Sequence, residues 1–146
     1  MTVAGASTSV ASLAPRLRVA VTRLNRRLRS NALGGVSPAQ ASALSMIERL
    51  GSPALAALAA AEQVRPPSMT RIVDALEADG LVERRVDVAD RRSSRVSLTA
   101  AGRRELSTIR SRKTAFLEQR LAALTEADRR TLAQALDILE HLAEEQ

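Results

Sequence analysis

The sequence predicts a mainly α-helical fold that carries one small β-hairpin, an α+β arrangement within a single domain. Three observations predict it. Apolar residues recur at helical spacing in successive segments of the chain. Capping residues, prolines and glycines punctuate those segments where helices start and stop. Between residues 81 and 98 the apolar pattern switches to the alternation of strands.

The elements follow in order. The first 12 residues are small and polar and read as a flexible tail; no basic region precedes an apolar stretch, as a signal peptide would need. Leu13, Leu17, Val21, Leu24 and Leu28 then lie three or four residues apart, one stripe of a helix over 13–30. Arg16, Arg18, Arg23, Arg26, Arg27 and Arg29 cover its remaining surface, and Gly34 and Gly35 break it. Ser37, Pro38 and Gln40 announce a second helix, with Ser37 capping, Pro38 in the first turn and Gln40 completing a capping box. Its stripe is Leu44, Ile47 and Leu50, and Gly51 ends it. Ser52 and Pro53 repeat the start signal for a short Ala/Leu helix from Ala54 to about residue 61. Pro66 and Pro67 open a fourth helix, with Met69, Ile72, Val73 and Leu76 inward and Gly80 as its stop. Leu81–Val86 and Ser94–Leu98 read as two strands around a polar tip. Thr99 caps a fifth helix containing Leu106, Ile109, Phe116 and Leu117. Thr125 and Asp128 open a sixth, striped by Leu132, Leu136, Leu139 and Leu142.

Composition narrows the function. A chain of 146 residues that is 45% apolar can bury a core, and with one Phe, no Trp and no Tyr that core is aliphatic. With no cysteine there is no disulfide framework, Cys-ligated metal or thiol sensor. The single histidine, His141, lies near the C-terminus, far from any partners for a zinc site or a catalytic triad, and reads as a helix-surface or interface residue. No nucleophile–base pair, metal cluster or glycine-rich phosphate loop is visible, so neither an enzyme nor a bound cofactor is expected. No apolar run approaches the roughly 18–20 residues of a membrane span, and a cytoplasmic location is expected.

The formal net charge is +6, and it is unevenly spread. Residues 1–50 hold seven Arg and one acid, whereas residues 113–146 carry more acids than bases. A basic body with an acidic end suits a polyanion on one side only. The arginines of the first helix are expected to pair with the acidic last helix or to remain solvated, rather than to bind that polyanion.

The third and fourth helices, a short turn apart, form a helix-turn-helix candidate, and the following hairpin makes it a winged one. A helix fits the DNA major groove, where small polar residues near its start reach base edges. Free N–H groups at the helix start would add a phosphate site. A hairpin tip bearing Arg91 and Arg92 can reach the neighbouring minor groove. Met69 is expected in the core. Asp87 and Asp90, beside three arginines, are expected in ion pairs rather than in a metal or acid–base site.

At these residues the chain resembles the MarR (multiple antibiotic resistance regulator) family. The resemblance rests on Arg65 through Leu76, Asp79-Gly80-Leu81-Val82, Arg84, Asp87, Asp90-Arg91-Arg92, Leu98-Thr99 and Gly102, all in register. It implies a winged helix-turn-helix over about 37–99, with dimerisation helices over about 13–30 and 100–145, in one domain spanning 13–146. It implies that Ser68, Thr70 and Arg71 face the major groove, with Arg65 and Pro67 at its edge. Arg92 matches the wing-tip residue that enters the minor groove, and Asp90 the acid that holds the wing's shape. Arg91 and Arg95 would touch phosphate. Leu13, Leu17, Leu132, Leu136, Leu139 and Leu142 would lie in the dimer interface. The function implied is a homodimeric repressor that reads a pseudo-palindromic operator in double-stranded DNA and responds to a small-molecule effector. The alternative on the same fold is a DNA-architectural or protein-interaction module without operator specificity.

Overall fold

The computed structural model describes residues 8–144. Their elements run α1 (Val10–Ala32), α2 (Pro38–Leu50), α3 (Leu55–Ala61), α4 (Pro66–Ala78), β1 (Val82–Val86), β2 (Ser94–Leu98), α5 (Ala100–Ala122) and α6 (Glu126–Ala143). The mainly helical fold with a two-stranded hairpin is as the sequence predicts.

α1 is longer than its stripe implied. Ser9 caps it by accepting from the Ser12 N–H, so the helix begins at Val10 rather than at Leu13. It continues to Ala32 before Gly34, at φ +55°, turns the chain. The remainder of the expected tail, residues 1–7, lies outside the described residues. α2 starts as its capping box predicts: the Gln40 N–H donates to Ser37 Oγ at 3.1 Å, and the Ser37 N–H donates to Gln40 Oε1 at 2.8 Å. Gly51, in the left-handed region at φ +64°, ends it.

The start of α3 differs from expectation. Ser52 and Pro53 do not cap this helix; it begins at Leu55, behind Ala54. The backbone of 52–54 belongs to the hairpin instead. Pro53 C=O accepts from the Val96 N–H at 2.9 Å, Ala54 bridges to Arg95, and Ser97 donates its hydroxyl hydrogen to Ser52 Oγ at 2.8 Å. Bridged to β2 at Ala54, the chain enters the helix only at Leu55.

The core forms where α2, α3, α4 and the hairpin meet. Leu44 and Ile47 from α2, Leu58 from α3, Met69, Val73 and Leu76 from α4, and Val96 from β2 are essentially inaccessible. The hairpin is antiparallel, with Val82 opposite Leu98 and Arg84 opposite Val96. A smaller cluster of Ala32, Leu33, Ala41 and Ile109 joins α1, α2 and α5. Leu50, expected in the α2 stripe, is exposed at the end of its helix.

Two apolar stripes are left largely uncovered by the described residues. In α1, Leu13, Val21 and Leu24 are about half exposed. No described residue of α6 is buried; Leu132, Leu136, Ile138 and Leu142 face outward, and Leu139 is half-buried.

Glycine is required at the junction that orients α5. Thr99 donates its hydroxyl hydrogen to Gly80 C=O at 2.6 Å, and its N–H donates to Leu81 C=O at 3.1 Å. This draws the first turn of α5 onto the loop after α4. A Cβ at Gly102 would lie 2.0 Å from the Leu81 carbonyl oxygen. Gly102→Ala therefore forces backbone apart and costs about 1–3 kcal/mol, read as a lower midpoint of thermal unfolding by circular dichroism. Gly35→Ala, whose Cβ would meet open space, leaves the midpoint nearly unchanged.

Candidate nucleic-acid interface

α4 divides into two faces. Met69, Val73 and Leu76 are buried, which leaves Pro67, Ser68 and Arg71 exposed and Thr70 half-buried. Arg65 is the N-cap, extended at φ −67°, ψ 144°, and makes no side-chain cap. Its exposed guanidinium stands at the helix start.

That start does not offer the free amides that the sequence suggested for phosphate. Pro66 and Pro67 have no N–H. The Ser68 and Met69 N–H groups both donate to Arg65 C=O, at 3.0 and 3.1 Å. The first turn is satisfied internally, so contacts there fall to side chains. Thr70 donates its hydroxyl hydrogen to Pro66 C=O at 3.0 Å. Its oxygen keeps lone pairs that can accept from a base amino group.

The hairpin tip is shaped by two carboxylates. Asp90 Oδ1 accepts from the Arg92 N–H at 3.0 Å, and Asp90 C=O accepts from the Ser93 N–H at 3.0 Å, a turn closed by its own side chain. Asp87 Oδ1 accepts from the Ala89 N–H at 2.9 Å, and Oδ2 from Arg95 Nε at 3.0 Å. The hydrogen bond from the Ala89 amide, together with the Arg95 guanidinium, holds the Asp87 carboxyl below its ordinary pKa. Asp87 thus forms the expected ion pair, whereas Asp90 binds backbone and no guanidinium.

The arginines sort by their acceptors. Arg95 also donates to Ser52 C=O at 3.1 Å, which ties the hairpin to the segment before α3; the phosphate contact expected of it competes with these bonds. Arg91 and Arg92 are exposed, and among the described residues their guanidinium groups have no hydrogen-bond or ion-pair partner. Arg65 and Arg71 are likewise exposed and unpaired. Within the winged lobe the unpaired arginines among the described residues therefore fall into two sets, Arg65 and Arg71 at α4 and Arg91 and Arg92 on the hairpin tip.

Sequence reasoning gave no role to the residue that joins these two sets. Arg84 on β1 donates to Asp74 Oδ1 at 2.5 Å, to Glu77 Oε2 at 3.4 Å and to Thr70 C=O at 3.5 Å, all on α4. The signal was present. Val82 is buried, so position 84 shares the inward phase of its strand, and a charge in that phase needs partners. Asp74 and Glu77, three apart on α4, supply them.

Among the described residues, no group of three or more His, Cys, Asp or Glu is placed to hold a metal ion. No helix among them is long and apolar enough to cross a membrane.

Known proteins match this arrangement. The model of the MarR family matches residues 36–94, from the start of α2 to the start of β2. An uncharacterized HTH-type transcriptional regulator of Mycobacterium bovis, Mb0904, is 38% identical over 138 residues, covering 94% of this chain and 96% of that protein. The HTH-type transcriptional repressor MdtR of Bacillus subtilis is 31% identical over 110 residues, covering 75% and 69%. A transcriptional-regulator crystal structure from Pseudomonas aeruginosa superposes with a TM-score of 0.83 at 36% identity, covering 96% of this chain and 100% of that one.

The geometry of the tip fixes the sign of a pH effect. The Asp87 pKa is lowered in the folded state, so its contribution to wing stability is present above the unfolded value of 3.8 and is lost as pH falls through the folded value. Carboxyl NMR titration is expected to place the Asp87 midpoint below 3.8. Arg95→Gln is expected to raise that midpoint only part of the way, because the Ala89 amide still donates.

Proposed function

The chain belongs to the MarR family of DNA-binding transcriptional regulators, and on that premise we propose that it is a homodimeric repressor whose operator affinity responds to a small effector. One observation carries the reading of the site: within the winged lobe, the arginines without a partner among the described residues are Arg65 and Arg71, at and on α4, and Arg91 and Arg92 at the hairpin tip, while Arg84 and Arg95 are tied to carboxylates. Ser68, Thr70 and Arg71 read base edges in the major groove, with Arg65 and Pro67 at its rim. Arg92 enters the minor groove and Arg91 meets phosphate. Asp90 and Arg95 serve by shaping the tip. Repression is supported by the name of the relative MdtR.

Dimerisation rests on the uncovered stripes. Most helical stability in proteins comes from packing an amphipathic face, and no described residue of α6 is buried. Leu13 and Leu17 of α1 and Leu132, Leu136, Leu139 and Leu142 of α6 supply an apolar surface for a second copy. The arginines of α1 face no acid of their own helix, and Asp137 and Glu140 of α6 complement them. On this reading the winged unit and the dimer helices are parts of one domain over 13–146.

The effector site we favour is a hollow of about 410 Å³ between α1 and the start of α2, lined by Asn25, Arg26, Arg29, Leu33 and Pro38. Arg29 and Lys113 flank its continuation towards α5. Two arginines over an apolar floor suit a small organic anion. Such a ligand lowers operator affinity by binding one spacing of the two recognition helices better than the other.

Selection from random duplex DNA at about 150 mM salt tests the reading. A palindromic motif with half-sites about one helical turn apart is the expected result. Enrichment of nothing, or binding without a motif at low salt, would support the architectural or adaptor alternative. On the selected duplex, Arg71→Ala is expected to cost about 1–3 kcal/mol at one base position. Arg92→Ala should erase the preference for A·T-rich flanks and leave the central motif intact. Leu136→Asp combined with Leu142→Asp should convert the protein to a monomer in light scattering and abolish tight operator binding.

A further inference from the structure

We propose that Arg84 is a positioning residue for operator recognition: it sets the angle between the recognition helix and the wing, and so matches the major-groove contact to the minor-groove contact. This inference rests on the DNA-reading assignment of α4 and the hairpin tip made above.

Two surfaces that read adjacent grooves of one duplex must keep a fixed mutual register, because the grooves are fixed. Between α4 and β1 the chain itself supplies only the turn at Asp79, Gly80 and Leu81. The aliphatic contacts of Leu76 and Val82 pack the two elements together but are not directional. Arg84 adds the directional link. Thr70, Asp74 and Glu77 lie along one row of α4, three and four residues apart, and the guanidinium spans the row. The planar fork fixes its own orientation against two carboxylates and a carbonyl, which a flexible ammonium cannot do.

Burial sharpens the constraint. The Arg84 side chain is 26% exposed, and its Nε is buried without an acceptor among the described residues. Its hydrogen-bonding capacity is directed to the helix, not to the outer surface. The link also ends on the backbone of Thr70, one of the residues assigned to the base edges. A tilt of β1 therefore moves the same turn of α4 that reads DNA.

The test measures selectivity. Wild type and variants are titrated against the duplex enriched by wild type and against a scrambled duplex, at several salt concentrations, with thermal melts as folding controls. Arg84→Gln and Asp74→Asn are each expected to lower the ratio of the two affinities about tenfold. The double variant should do little more than either single one, since both break one link. Asp74→Asn is informative because its exposed carboxylate is dispensable for the core, and losing a negative charge cannot weaken attraction to DNA. It also keeps the test valid if Arg84→Gln fails to fold. The salt dependence should stay at its wild-type slope, because no phosphate contact is lost.

An unchanged ratio in Asp74→Asn overturns the proposal. So does a drop of about one in the salt slope of Arg84→Gln, which would make Arg84 a phosphate contact. Full wild-type selectivity in Arg84→Lys would show that charge neutralisation suffices and would overturn it too. If wild type enriches no sequence, the regulator reading fails and this inference falls with it. If wild type enriches a motif and the variants keep its selectivity, this inference alone fails.

Discussion

Close approach between backbones is the constraint on which the rest of the molecule depends. The chain has no Trp or Tyr, and its single Phe, Phe116, lies outside the buried clusters, so the core has no aromatic side chain to bridge distant elements. Its helices and hairpin must come near one another, and small residues stand where they do. Ala43 and Ala59 are fully buried between α2 and α3, and Gly102 lets the first turn of α5 rest on the Leu81 carbonyl. That contact, with the Thr99 hydrogen bonds to Gly80 and Leu81, joins the end of α4, the start of β1 and the start of α5. α4, which we propose reads DNA, and the long helix that leaves the lobe thus share one small junction. A shift of α5 has little slack through which to be lost before it reaches α4.

A second theme is how one residue type serves two purposes. The chain is rich in arginine, and composition does not distinguish the structural from the functional ones. Acceptors do. Arg84 and Arg95 sit opposite carboxylates and carbonyls and act as internal ties. Arg71, Arg91 and Arg92 have no such partner among the described residues and remain available to a polyanion. Arg85 and Arg95 face each other across the hairpin, a repulsive pairing offset because each has its own acid, Glu83 and Asp87.

Much of this was legible in the sequence, for identifiable reasons. Helix starts at Ser37, Thr99 and Thr125 use local hydrogen bonds, so three or four residues of sequence are enough to recognise them. The inward faces of α4 and β2 follow from periodicity. What escaped was non-local. Ser52 carries the signature of a helix cap, but Ser97, 45 positions away, claims its hydroxyl. The Arg84 link joins residues 7 to 14 positions apart on different elements. Leu13, Val21 and Leu136 form correct stripes that nevertheless remain uncovered in one chain, since a stripe shows that burial is needed and not by what.

The proline pair at the start of α4 has a consequence for how this surface can change over time. A phosphate held by backbone amides is held by any sequence that keeps the helix, and is therefore insensitive to mutation. Here the first turn has no free amide, because two prolines lack N–H groups and the next two donors bond to Arg65 C=O. Every contact that this turn makes to a ligand must come from a side chain. On the proposed reading, recognition at this end of the helix is consequently written in a few codons, at 65, 68, 70 and 71, over a backbone that stays the same. A lineage descending from this protein could exchange one target sequence for another by single substitutions there without having to rebuild the fold.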